Sequence, residues 1–313
     1  MREPLQLALE LAERGRGTTA PNPVVGAVLE RDGELVGQGW HERRGGPHAE
    51  AVALDAAGAR AHGATLYVTL EPCDHHGATA PCVDAILAAG VRRVVVGARD
   101  PTPGRAGVER LRDAGVDVDV VDLFDARRQN EAWRTWAKAG RPFVTYKVAV
   151  TLDGRTTLRG SRWVSGEESR RLVHELRAQV DAVAVGTGTF RADRPRLTAR
   201  GVDAARQPRR LVLGSGPLPP DSGLELVSEP LDAALPRLAA EGVQSLLLEG
   251  GATLATAFLD ADLIDKLLVF VAPALGGAGP HFLGDRERPV RLHRLSARPV
   301  GDDILLEAYV HPP

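Results

Sequence analysis

Two rounds of strand–helix alternation, separated by one polar stretch, constrain this 313-residue chain more than any other feature. Apolar runs such as "TLYVTL", "RRVVVGA", "DAVAVG" and "QSLLLE" are strand-length and bounded by turn residues. Segments with helical periodicity lie between them. Strands alternating with helices pack as a sheet flanked by helices, so both halves read as α/β.

The first half opens with a helix over Pro4–Arg14 and two strands, "VVGAVLE" and "ELVGQG", joined at Arg31-Asp32-Gly33. A helix over roughly His48–Gly58, the strand "TLYVTL", the helix "CVDAILAAG" closed by Gly90, the strand "RRVVVGA", the helix "GVERLRDAG" and the strand "VDVDVVD" follow. Phe124 to Arg141 is polar and helical. The pattern restarts with the strand "PFVTYKVAVTL" and the helix "GEESRRLVHELRAQ". The strands "DAVAVG", "RRLVLG", "QSLLLE", "DKLLVFVAP" and "DILLEAYV" come later, with two more helices, "LDAALPRLAAEG", broken by its proline, and "ATLATAFLD". The length suits about two domains, and the boundary is expected near Arg141, giving domains 1–141 and 142–313.

Composition narrows the function classes. The chain is 43% hydrophobic and 26% charged, as a soluble globular protein is. A formal charge of −2 provides no global field for nucleic acid or a membrane surface. No apolar run approaches the roughly 20 residues of a membrane span, and the first residues, "MREPLQLALELAERGRG", lack a signal-peptide core. The expected compartment is the cytoplasm, where the two cysteines stay reduced. Neither half carries G-x-G-x-x-G after a strand.

Both cysteines fall in one loop-rich segment downstream of a His-x-Glu. Each of three metal-type side chains follows a proline: Pro47-His48, Pro72-Cys73 and Pro81-Cys82. Three thiolate and imidazole donors are the number that a catalytic zinc site uses, with one position left for water. Proline suits a helix start, where the positive dipole end favours thiolate. Glu50 is placed to move protons between an activated water and a leaving amine. Two buried cysteines acting as small hydrophobes, or a structural zinc completed by His75 or His76, are the alternatives. His-Ala-Glu followed by two Pro-Cys pairs matches the zinc nucleobase-deaminase pattern, except that eight residues rather than two separate the cysteines.

The stretches "TTAPNPVVGAVL", "GWH", "PHAEAVAL", "YVTLEPCDHHGATAPC" and "VVVGARDP", with "KVAVTLDGRT", "RWVS", "LRAQVDAVAVGTGTFRADRPRLTAR" and "LLLEGGATL" in the second half, resemble the bifunctional riboflavin-biosynthesis deaminase/reductase family. The resemblance covers nearly the whole chain. It implies a cytidine-deaminase-like N-terminal domain and a dihydrofolate-reductase-like C-terminal domain. It implies zinc-dependent deamination of 2,5-diamino-6-ribosylamino-4(3H)-pyrimidinone 5′-phosphate, then NADPH-dependent reduction of the ribosyl to the ribityl chain. Zinc would fall on His48, Cys73 and Cys82, the proton shuttle on Glu50, and the base-holding amide on Asn22. The resemblance places NADP at Ala149, Trp163, Thr189, Asp193, Ser215 and Gly251-Ala252-Thr253-Leu254-Ala255-Thr256-Ala257. It places substrate at Ser161, Arg177, Leu197, Arg200 and Glu249. His41, His75 and His76 are pocket or loop histidines.

Three positions depart from the family pattern. Ala78 stands where a basic residue is usual, Arg194 stands where Asp or Asn is usual, and "TTLRGSRW" is short. With Ala78 in place, the substrate phosphate either projects into solvent or meets a substitute cation, with Arg43, Arg44 and Arg105 as candidates. Two other classes stay open. One is a zinc deaminase of another nucleobase or nucleoside fused to an unrelated reductase-like or binding domain. The other is a binding protein with a structural zinc. The expected partner is a small phosphorylated pyrimidine, with no nucleic acid and no membrane. The sequence leaves the oligomeric state open, homo-oligomers included.

Overall fold

The structure, a computed structural model, describes residues 2–75, 80–102 and 107–313. Ala78, His76 and Arg105 lie outside the described residues. The chain forms two compact units, Met1–Ala139 and Gly140–Pro312, with Pro313 grouped with the first.

The first unit runs α1 (Arg2–Glu13), β1 (Gly26–Arg31), β2 (Glu34–Trp40), α2 (Ala49–Ala57), β3 (Thr65–Val68), α3 (Cys82–Ala88), β4 (Arg93–Val96), α4 (Val108–Asp113), β5 (Asp117–Val120), α5 (Phe124–Gln129) and α6 (Glu131–Ala139). The sheet order is β2-β1-β3-β4-β5. β1 is antiparallel to β2 and β3, while β3, β4 and β5 are parallel. The β1–β2 turn needs two residues with positive φ, and Asp32 (53°) and Gly33 (83°) provide them. The period-2 pattern gives the sheet two apolar faces. Leu29, Leu66, Val94 and Val96 pack with Ala53, Ile86 and Leu111 in one buried cluster. Val28, Tyr67 and Val95 pack with Leu5, Ala8 and Leu11 of α1 in another.

The stretch after Phe124 is two helices. They part at Asn130, whose side chain is occupied elsewhere: Val24 N–H donates to its Oδ1 at 2.9 Å, and its Nδ2 donates to Val24 O at 2.8 Å.

The second unit runs β6 (Phe143–Thr151), α7 (Glu167–Gln179), β7 (Ala182–Gly186), α8 (Thr187–Asp193), β8 (Arg209–Leu213), β9 (Glu225–Val227), α9 (Leu231–Ala240), β10 (Ser245–Leu248), α10 (Ala252–Asp260), β11 (Lys266–Ala272), β12 (His293–Val300) and β13 (Asp303–Tyr309). Its sheet order is β12-β13-β11-β6-β10-β7-β8-β9. β13 is antiparallel to its neighbours and the other pairs are parallel. The chain lays β7, β8 and β9 outward, then returns to insert β10 between β6 and β7. That reversal makes a crevice at the carboxyl ends of β10 and β7, where open α/β sheets bind ligands.

Four elements differ from expectation, one being the three-residue strand β9, which the sequence reading does not include. α9 is continuous through Pro236. The carbonyl deprived of a partner there belongs to Asp232, in the first turn. α8 follows "AVAVG" directly and ends at Arg194, which is left-handed (φ 42°, ψ 54°). Asn and Asp tolerate that conformation better than Arg, a physical reason for the usual residue there. β12, "HRLSARPV", is almost wholly exposed and has no apolar alternation to mark it.

Candidate active site

In the first unit, helix starts and strand exits converge on one cavity of about 490 Å³. His48 is the N-cap of α2 and Cys82 the first residue of α3, as their prolines suggest. Cys73 follows β3. His48 Nδ1 lies 3.2 Å from Cys82 Sγ and 3.5 Å from Cys73 Sγ. The three donor atoms are mutually within 4.8 Å, the one such group among the described residues.

The donor set fits zinc. Ligands at about 2.0–2.3 Å in a tetrahedron sit roughly 3.4–3.8 Å apart, close to the spacings here. Cys73 Sγ accepts the Cys82 backbone N–H at 3.4 Å. Hydrogen bonding from Cys82 and from His48 outweighs burial and holds the Cys73 thiol well down, at about 4. In the first turn of α2, two residues after His48, Glu50 is 3% exposed and lines the cavity. Burial pushes its carboxyl up to about 7.

Asn22 is oriented by a relay. His41 Nδ1 is 3.0 Å from the Pro47 carbonyl, which only accepts, so Nδ1 carries the proton. Burial lowers the His41 pKa, with a smaller push from His48, and keeps the ring neutral. Its Nε2 is therefore an acceptor for Asn22 Nδ2 at 3.4 Å. That assignment leaves Asn22 Oδ1 to accept from elsewhere.

Sequence reasoning missed several contributors. Glu71 is buried and accepts N–H groups from Asp100 (3.1 Å) and Val108 (3.0 Å). It thereby ties the Cys73 loop to β4 and α4. Its signal was its place two residues before Cys73. Trp133 and Trp136 line the cavity from α6; two tryptophans three apart in a polar helix were the available signal. His75, one of the histidines that the sequence offers as a pocket residue, lines the cavity, and its Nδ1 is buried without a hydrogen-bond partner among the described residues.

In the second unit, Glu249 leaves β10 and meets Arg177 of α7 through two bonds, 2.6 and 2.9 Å, and Lys147 of β6 at 3.3 Å. Burial alone would raise its pKa, but the two cations hold it at about 2. Arg177 also donates to Thr198 O at 3.2 Å. Arg200 joins the same cluster, its N–H facing His174 Nδ1 at 3.3 Å and its Nη1 facing Thr198 Oγ1 at 3.4 Å.

At the crevice, Gly251 N–H donates to Thr189 Oγ1 at 3.2 Å. Gly251 is the N-cap of α10, so 252–257 open that helix. A Cβ on Gly250 would sit 2.9 Å from Leu254 Cδ2, so a larger residue there requires the Leu254 side chain to shift. Backbone donors at a glycine turn before a nine-residue helix fit a dinucleotide phosphate. Ser215 follows β8, and its carbonyl accepts from Arg191 at 3.2 Å.

Ser161 Oγ donates to Trp163 O at 2.7 Å. Trp163 is exposed, with Arg162 and Arg170 guanidinium carbons 5.0 and 5.4 Å from its ring. Leu197 is buried at positive φ (55°). The contacts link Arg177 with Glu249, Thr189 with Gly251, and Ser161 with Trp163. Ala149, on β6, and Asp193, at the end of α8, make no direct bond to the other candidates.

Comparison with known proteins agrees with this layout. Residues 2–98 match the family profile "Cytidine and deoxycytidylate deaminase zinc-binding region", and residues 142–306 match "RibD C-terminal domain". The chain is 40% identical to riboflavin biosynthesis protein RibD of Aquifex aeolicus over 96% of each chain. It is 39% identical to that of Escherichia coli over 87% of each. The solved structure of Acinetobacter baumannii RibD superposes with a TM-score of 0.83 at 37% identity, covering 97% of each chain. A Thermotoga maritima structure titled as a diaminohydroxyphosphoribosylaminopyrimidine deaminase and 5-amino-6-(5-phosphoribosylamino)uracil reductase has a TM-score of 0.83 at 33% identity, over 98% of this chain and 97% of that one. The first unit is cytidine-deaminase-like, the second has a dihydrofolate-reductase-like fold, and the chain belongs to the RibD family of riboflavin-biosynthesis proteins.

Proposed function

We propose that the first unit deaminates 2,5-diamino-6-ribosylamino-4(3H)-pyrimidinone 5′-phosphate and that the second reduces the product's ribosyl group to ribityl. The observation that carries the reading is the His48, Cys73 and Cys82 cluster beside buried Glu50. These three residues would hold zinc, which supplies a water acidified to a pKa of about 7. Glu50 takes the proton of the attacking water and returns it to the leaving amine, which departs as ammonia. Its burial keeps that proton from exchanging with bulk solvent. Asn22, fixed by His41, presents an oxygen acceptor to the amino edge of the base. The Trp133 and Trp136 side of the cavity offers apolar surface for a flat ring.

In the second unit NADPH supplies the hydride. Thr189, Ser215, Asp193, Ala149 and Trp163, with residues 251–257, would hold it along the carboxyl ends of the strands. Arg177 and Arg200, with Glu249, Ser161 and Leu197, would grip the substrate. Glu249 neutralises Arg177 and fixes its fork, leaving Arg200 the freer cation for the ribose phosphate. Two reduced thiols are consistent with work in the cytoplasm, and no helix among the described residues is long and apolar enough to cross a membrane.

The test is to incubate the purified chain with the pyrimidinone phosphate, with and without NADPH, and weigh the products. Loss of one amino group for oxygen without NADPH, and gain of two hydrogens with it, is expected. No mass change in either arm refutes the reading.

A further inference from the structure

We propose that Arg44 holds the 5′-phosphate of the deaminase substrate. The inference rests on the deaminase reading above and adds to it a named anchor for the charged end of the ligand. Among the described residues lining the cavity that contains His48, Glu50 and Cys73, Arg44 is the one lysine or arginine. Arg43 does not line it. Of the three arginines that the sequence offers as substitutes for a cation at Ala78, the cavity therefore singles out Arg44, with Arg105 outside the described residues.

The cavity's other charges are committed. Glu71 is hydrogen-bonded to two backbone N–H groups and lies 3.6 Å from Arg99. Asp100 accepts the Thr102 N–H at 2.8 Å. Glu50 sits beside the metal-type donors. Arg44 differs: its guanidinium has no ion-pair or hydrogen-bond partner among the described residues, and the residue is exposed. Its backbone, in contrast, is held. Gly46 N–H closes a turn on Arg43 O at 3.0 Å, and Gly45 takes the positive φ (75°) that the third position of such a turn requires. Arg44 N–H donates to Thr18 O at 3.1 Å, and Thr18 Oγ1 is within bonding reach of the Gly15 and Glu42 carbonyls.

A fixed backbone carrying an uncommitted fork suits a phosphate dianion. With no protein partner among the described residues to break from, the guanidinium exchanges only water for the ligand. The base must meet Glu50 and the metal-type donors, so the phosphate lies a ribose away, and Arg44 is the cation that the described part of the wall offers it.

The test compares KM for deamination of the phosphorylated pyrimidinone and of its dephosphorylated form, in the intact zinc-loaded chain. Arg44→Ala should raise KM for the phosphorylated substrate roughly fivefold or more, between the worth of an exposed ion pair and a charge-assisted hydrogen bond. It should leave kcat, zinc content and the KM of the dephosphorylated form nearly unchanged. Arg44→Lys should recover part of the loss, and Arg43→Ala should match wild type. Inorganic phosphate should compete with substrate in wild type and do so several-fold more weakly in Arg44→Ala. Equal KM increases for both substrates would assign Arg44 a loop-positioning role and overturn the proposal. An unchanged KM would leave the phosphate in solvent and also overturn it. A wild-type chain that turns over neither compound would refute the deaminase reading itself, and this inference with it.

Discussion

Replacing Glu249 with glutamine should destabilise the second unit by about 3–5 kcal/mol at neutral pH. The carboxylate is held at about 2 instead of 4.5 by Lys147 and Arg177 acting against burial. Each tenfold change in proton affinity corresponds to about 1.36 kcal/mol, so the net of burial and the two cations favours the ionised carboxylate by about 3 kcal/mol. Glutamine keeps the shape but leaves two nearly buried cations unopposed, and breaking a buried pair from one side costs about 3–5 kcal/mol. The folded pKa lies below the unfolded one. The wild-type contribution is therefore complete above about pH 5 and fades as pH falls through 4.5 toward 2. The two units need not unfold together, so the probe must be local. Hydrogen exchange in the intact chain, read on peptides covering β6 and β10, reports the second unit. Peptides from β1 and β3 serve as the internal reference. Wild type should lose stability in the β6 and β10 peptides between pH 5 and 3, whereas Glu249→Gln should start lower and lose less across that range, the remaining slope coming from Asp265, whose pKa is also lowered and which accepts the Val144 N–H of β6. A variant within about 1 kcal/mol of wild type at pH 7, or a flat wild-type profile, would refute the electrostatic account.

Three further outcomes follow from the first unit. Cys73→Ser should lower zinc from one per chain to a small fraction, measured by metal analysis after dialysis; equal, full occupancy would remove Cys73 from the ligand set. Glu50→Gln should retain zinc and lose deamination, because an amide cannot carry the proton, while reduction of the already deaminated substrate continues; near-wild-type deamination would make Glu50 merely a helix-start anion. Asn130→Ala strands two backbone groups of Val24 at about 1–3 kcal/mol each. Urea unfolding followed by fluorescence of Trp40, Trp133 and Trp136 should show a loss of about 2–6 kcal/mol, and an unchanged midpoint would discount the clasp.

Legibility in the sequence tracked the range of the physics involved. The helix 252–260 and the strands through 65–68, 182–186 and 245–248 follow from local periodicity and turn residues. The His48, Cys73 and Cys82 group was visible because prolines and spacing mark it. α8 was hidden because "GTGTF" reads as a turn, although the helix is short and begins directly at the strand end. β12 lacked apolar alternation because it pairs with β13 along one edge and leaves its residues exposed. Pro236 misled because its cost depends on which carbonyl it orphans. Asn130, the His41 relay and the partners of Glu249 are long-range pairings, and one chain read end to end has no local signal for them; Glu71 is marked only by its place two residues before Cys73.

The clasp between Asn130 and Val24 also bears on how this chain can vary over generations. Asn130 grips the peptide groups of Val24, one as donor and one as acceptor, and makes no use of the valine's methyls. Any apolar residue able to fill the same buried space at position 24 preserves both bonds, whereas position 130 demands an amide of that length. The pair is thus constrained on one side only. Methods that infer contacts from paired substitutions need both partners to change in step. They would be blind to this one, although it connects two segments 106 positions apart and holds the loop that carries Asn22.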